Sequence, residues 1–136
     1  PVQWDAGPNA GFTQGTPWIG VTPNYREINA ASQTGDPASV YAYYRALADI
    51  RHGLPVIALG AFERIACPSP AVFAYRRTLD EAVVTVLVNL SSLPASLGEA
   101  ATGVAGELLL SNRDLPEARR GVPAVLEPWE ARVYLA

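Results

Sequence analysis

The chain has 136 residues, enough for one domain or one domain with an appendage, and its 49% hydrophobic and 17% charged residues make it globular, not disordered. The net charge is −3, and all ten basic residues are arginines, scattered except for Arg76 with Arg77 and Arg119 with Arg120, so neither nucleic acid nor an anionic membrane is an expected partner. No apolar run approaches the roughly 20 residues of a membrane span, and the single cysteine, Cys67, excludes an internal disulfide.

Residues 1–25 are dense in glycine, proline, asparagine and aromatics, with no helical or strand period. They read as a long ordered loop, of the kind that is functional or covers something. Trp4, Phe12, Trp18 and Tyr25 carry apolar area that must pack on a surface, and the remaining chain is too small to supply all of it. Within the loop, Asp5 can accept backbone hydrogen bonds in its own turn, and Asn9 with Gly11 suits a position at positive φ.

Residues 36–53 predict a helix. Asp36 is the expected N-cap, Pro37 the first helical residue and Gly53 the stop. Val40, Tyr44, Leu47 and Ile50 form one apolar stripe, and Arg51 and His52 complement the negative end of the helix dipole.

From Pro55 on, strands are expected: 56–59 leading through Gly60 into 62–66, then 72–78, 82–90, 107–111, 123–126 and 130–135. CPSP at 67–70, a small-residue loop at 91–106 and a charged loop at 112–122 connect them. Residues 82–90 (AVVTVLVNL) have no charge, glycine or proline and are the expected centre of the sheet. Alternation puts Val84, Val86, Val88 and Leu90 on an apolar face expected against the core, and Val83, Thr85, Leu87 and Asn89 on a half-covered one. The pattern suggests a two-layer antiparallel β-sandwich.

PVQWD at 1–5, NAGFT at 9–13, GTPWI at 15–19, PNY at 23–25 and Ile28 with Asn29 closely resemble a segment of the α-amylase-type glycoside hydrolases, most of all the oligo-1,6-glucosidase, dextran glucosidase and trehalose-6-phosphate hydrolase group. The common form there is PMQWD, with Val2 replacing the methionine here. DPASVYAYY at 36–44 and WEARVYL at 129–135 resemble the pattern opening the last barrel helix and the ending of the same enzymes. The resemblance implies a mainly β fold: a C-terminal antiparallel β-sandwich preceded by a long loop and the last helix of a (β/α)8 barrel. The expected boundaries are 1–54 for the end of the barrel and 55–136 for the β-domain. The absence of methionine and the start at Pro1 fit the same expectation, a piece of a longer polypeptide. No signal peptide is recognised, and a cytoplasmic location is expected.

The resembled enzymes cleave α-glucosidic bonds with retention, using two carboxyl groups about 5 Å apart. The resemblance places both, a third aspartate and the substrate-gripping arginines upstream of Pro1, so no catalytic residue is expected in this chain. A solvated surface is the expected place for its thirteen carboxylates. His52, the sole histidine, reads as a helix-terminal residue, and Cys67 as a buried or strand-end one; no metal or cofactor is expected. Two readings stand for Gln3, Trp4, Asp5, Asn9 and Phe12: they shape the rim behind the sugar subsites, or they lock the loop onto the barrel. The expected function is that of a barrel-capping part of an α-glucosidase. Its partner is the catalytic barrel of the same enzyme, and it meets oligosaccharide only through the intact molecule. Self-association of the chain is expected where that barrel is missing. The alternative is a carbohydrate-binding or protein-interaction β-domain.

Overall fold

The computed structural model describes residues 1–117 and 120–136. Positions 118 and 119, within the loop expected at 112–122, lie outside them. The chain divides into two compact units, Pro1–Asp49 and Ile50–Ala136.

The first unit opens with an irregular segment interrupted by single turns at Pro8–Gly11 and Pro23–Arg26. Helix α1, Ala30–Thr34, follows. Its cap is legible in retrospect. The Asn29 side chain accepts the Ser32 N–H at 2.9 Å, while the Ser32 hydroxyl faces the Asn29 N–H at 3.4 Å, a reciprocal capping box. Helix α2, Val40–Gly53, starts later than expected. Asp36 does not cap it; its carboxylate accepts the Ala38 N–H at 2.8 Å in a local turn. Ser39 takes the capping place, accepting the Ala42 N–H at 3.1 Å. No residue of α2 is fully buried, and Val40 and Tyr44 are exposed.

Among the described residues the second unit holds seven strands. β1 (Ala61–Ile65), β2 (Val72–Leu79), β3 (Ala82–Asn89), β5 (Glu107–Ser111) and β7 (Ala131–Leu135) form an antiparallel sheet in the order β1-β2-β3-β7-β5. β4 (Ala95–Ser96) and β6 (Val125–Leu126) pair as a second, two-stranded sheet. The β2–β3 hairpin closes tightly, with Leu79 opposite Ala82 and Asp80 at φ 52°. Aspartate tolerates that left-handed turn position better than a branched residue would.

Two expected loops and strands are revised. Residues 56–59 belong to a short helix, α3 (Pro55–Leu59), with proline at its first position. The loop at 91–106 contains β4 and a single turn at Gly98–Ala101.

The main core lies between the sheets: Val72, Ala74, Leu87, Ala95, Leu97, Leu126 and Tyr134. A smaller cluster on the other face of the large sheet joins Val56 of α3 to Val84 and Val133. Each buried large aliphatic side chain contributes roughly 1.5–3 kcal/mol. Both faces of β3 are therefore covered. On the face expected against the core Val84 is buried and Val86 and Val88 are half-buried. Thr85, Leu87 and Asn89 of the face expected to be half-covered are buried, and Leu90 is 60% exposed beyond the strand end. Hydrogen bonding explains the burial of Asn89. Asn89 donates through Nδ2 to the carbonyls of Leu93 (2.7 Å) and Glu127 (3.0 Å), and its Oδ1 accepts the Ser91 N–H (3.0 Å), so its burial leaves no amide group unsatisfied.

Candidate functional site

The loop at 3–15 is built on an unusual backbone. Asn9 (φ 53°), Ala10 (φ 55°) and Gly11 (φ 67°) are all left-handed. For alanine this conformation costs about 1–2 kcal/mol, and a net of hydrogen bonds holds it. The Trp4 and Asp5 N–H groups both donate to the Ala10 carbonyl, at 2.9 and 3.3 Å, and Ala10 itself is fully buried. Asp5 Oδ1 accepts the Gly7 N–H at 2.8 Å. Asn9 Nδ2 reaches the carbonyls of Thr13 (3.1 Å) and Gly15 (3.0 Å), and Phe12 N–H bonds the Asn9 carbonyl at 3.1 Å. Gly11 must be glycine: a Cβ there would stand 2.5 Å from Asp5 Oδ2.

The structure thus brings Gln3, Trp4, Asp5, Asn9 and Phe12 into one hydrogen-bonded unit. Gln3 Nε2 donates to Asn24 Oδ1 at 3.1 Å, and the carbonyls of Gln3 and Trp4 receive the N–H groups of Ala30 and Ala31 at 2.8 and 2.9 Å, tying the loop to α1. The Asn9 amide and Asp5 Oδ1 bond within the loop, and the Gln3 amide reaches out to Asn24. The rings are not: Trp4 is 53% and Phe12 47% exposed.

Elsewhere the chemistry is structural. Among the thirteen carboxylates Glu130 alone is buried, Glu127 is half-buried and the rest are exposed. Among the described residues no group of three or more His, Cys, Asp or Glu stands ready for a metal. Burial pushes the Cys67 thiol up, against the pull of Arg64, which disfavours the thiolate a nucleophile needs. His52 lies exposed in the last turn of α2.

One cluster was not foreseen. At the start of β7, Glu130 just before the strand and Arg132 within it are 1% and 2% exposed and pair at 2.8 Å. Arg132 also donates to the Gly121 carbonyl (2.8 Å) and the Tyr134 hydroxyl (3.3 Å), and that hydroxyl donates to Gly121 as well (3.1 Å). Glu130 Oε2 accepts the Glu127 N–H at 2.7 Å. Burial acts against the Arg132 charge, but its bonds to Tyr134 and Glu130 outweigh it and raise the guanidinium pKa further; burial likewise lifts the Tyr134 phenol. The signal available in the sequence was the alternation of Glu130, Arg132 and Tyr134 along one strand face.

An antiparallel β-domain behind a loop and helix of this kind defines a class, that of the C-terminal regions of α-amylase-type enzymes. Residues 1–60 match the family described as "Alpha amylase, catalytic domain", and residues 60–133 match the "Domain of unknown function (DUF3459)". The chain belongs to the DUF3459 family, whose model covers more than half its length. It is 42% identical to an oligo-1,6-glucosidase of Parageobacillus thermoglucosidasius, over 98% of this chain and 24% of that protein. The trehalose-6-phosphate hydrolase of Bacillus subtilis (strain 168) is also 42% identical, again over 98% of this chain and 24% of that protein. The crystal structure of trehalulose synthase MutB from Pseudomonas mesoacidophila MX-45 superposes with a TM-score of 0.83 at 40% identity, covering 98% of this chain and 24% of that one. The chain therefore spans about a quarter of the length of these relatives and corresponds to their C-terminal region. No helix among the described residues is long and apolar enough to cross a membrane.

Proposed function

We propose that this chain is the C-terminal part of an α-glucosidase that hydrolyses α-glucosidic bonds of short oligosaccharides with retention, and that the chain itself is non-catalytic and caps the catalytic barrel. The observation that carries this reading is the match over nearly the whole chain to a quarter of an oligo-1,6-glucosidase. Retention needs a nucleophilic and an acid/base carboxyl about 5 Å apart, and in this reading both belong to the barrel. In this reading residues 1–54 complete the barrel and 55–136 form the appended β-domain. Gln3, Trp4, Asp5, Asn9 and Phe12 lie on the rim behind the sugar subsites. Oligosaccharide meets the chain only in the intact enzyme, the location is cytoplasmic, and the chain alone self-associates.

A second reading is a carbohydrate-binding β-domain. It draws on Phe62, Tyr75 and Phe73, whose rings stand 5.3 and 5.6 Å apart on the large sheet with both phenylalanines exposed. One sample decides between them. The isolated chain is expected to release no chromophore from p-nitrophenyl α-glucoside and to give no heat with maltose. Turnover above background would refute the first reading, and a saturable heat would favour the second.

A further inference from the structure

We propose that residues 54–60 are a latch: Arg77 of β2 holds the end of the catalytic-domain match on the β-domain, and the latch opens locally while the sheet stays folded. It goes beyond the α-glucosidase reading and does not depend on it.

The two family matches meet at residue 60, where one ends and the other begins. The residues just before that point fold with the sheet: the last turn of α2, α3 and the strands belong to one unit. A ladder of hydrogen bonds runs along the joint. The Leu54 N–H donates to the Ile50 carbonyl, the Ile57 N–H to that of Leu54 and the Gly60 N–H to that of Val56, each at 3.0 Å. The five residues of α3 are too few for a helix to stand by itself in water. What holds it is the sheet. Val56, 2% exposed, seats against Val84 and Val133, with Leu54 and Ile57 half-buried beside it, while Leu59 is 74% exposed.

The polar hold comes from Arg77. Its Nη2 donates to the Gly60 carbonyl at 2.6 Å and to that of Ala58 at 3.3 Å. Carbonyls at a helix end have no partner within the helix, and a guanidinium is a strong donor to them. Donor and acceptors come from the two sides of the meeting point of the matches. Gly60 lets the chain pass close enough for this: a Cβ there would stand 2.5 Å from the Val56 carbonyl oxygen and 3.0 Å from that of Thr78. The main core does not share in the hold. Val72, Ala74, Leu87, Leu126 and Tyr134 lie on the other face of the sheet, so opening the latch uncovers Val84 and Val133 and leaves that core closed. Proteins open in such units, each at its own cost.

Hydrogen exchange of the full chain tests this, read at peptides over 54–60 and 83–89 relative to their intrinsic rates. Arg77→Met keeps the stem and removes the donors. It is expected to speed exchange at 54–60 by roughly tenfold to a hundredfold, as the loss of one charged hydrogen-bond donor would. Exchange at 83–89 should change by less than about twofold. Arg76→Met is the control. Alternation puts that arginine on the opposite face of β2, with its Nε 3.4 Å from Glu63, and 54–60 should not respond to its loss. Acceleration of both peptides together in Arg77→Met, none at 54–60, or an equal response to Arg76→Met would overturn the proposal. Should Arg77→Met fail to fold, the parent chain decides: 54–60 is expected to exchange about tenfold or more faster than 83–89, and equal protection would overturn the latch.

Discussion

Among the described residues, Glu130 and Arg132 are the two charges that the second unit places wholly out of water, and their surroundings explain how it tolerates them. Each removed charge costs several kcal/mol in desolvation. The 2.8 Å pair, the Gly121 carbonyl and the Glu127 N–H supply the compensation. Removing one partner is worse than removing both, because the survivor stays buried without its counter-charge. Arg132→Met is therefore expected to lower stability by about 3–5 kcal/mol. Adding Glu130→Leu should restore at least half of the loss. Recovery will be incomplete, because the Gly121 carbonyl keeps only Tyr134 among these donors. Urea denaturation of the single and double variants gives the coupling directly. Strictly additive losses would show that the ion pair is not the unit of stability here.

At the level of elements, β3 illustrates which features of a strand can be read from its letters. The strand follows from an uninterrupted β-branched run, and its neighbour β2 was expected at 72–78; the structure carries β2 one residue further, to Leu79, which leaves a two-residue turn. The burial of Asn89 did not follow, because alternation alone ranks it below Leu90. The deciding acceptors, the carbonyls of Leu93, Leu126 and Glu127, come from the segment before β4 and from the end of β6, whose approach no local pattern encodes. Asn89→Leu should accordingly cost about 2–3 kcal/mol, since it strands buried carbonyls and the Ser91 N–H. Leu90→Ser, at the residue expected inside, should change stability by no more than about 0.5 kcal/mol. Thermal unfolding of the two variants checks the pair, and the reverse order of effects would restore the ranking expected from sequence. The short helices were hidden for a related reason. Five residues such as Pro55–Leu59 give too little period to separate helix from strand, so only Pro55 at the first position spoke for α3. In the loop, positive φ at Asn9 and Gly11 was legible from residue type. The same conformation at Ala10 was not, being imposed by the Trp4 and Asp5 N–H groups.

Taken as a whole, the molecule distributes its buried surface unevenly. Both apolar clusters belong to the second unit. In the first, Ala10 and Asn29 are the buried residues among those described. The aromatic residues Trp4, Phe12, Trp18, Tyr41 and Tyr44 and the aliphatic Val2, Ile19, Ile28 and Val40 of that unit are exposed. A unit with so little core gains its order from hydrogen bonds and lacks the apolar burial that normally dominates stability. Contiguous exposed apolar surface of this kind marks an interaction site. In the proposed enzyme the barrel takes that role. In a solution of the chain alone a second copy is the available substitute, with Val40 and Tyr44 one turn apart on α2 as its central contact. Light scattering is therefore expected to give a mass above 14.5 kDa that rises with concentration. Joint replacement Val40→Ser and Tyr44→Ser, at two exposed positions with no core to lose, should return it toward the monomer. A mass that stays at one chain over the whole accessible concentration range, for the parent sequence, would show that the exposed stripe does not drive association.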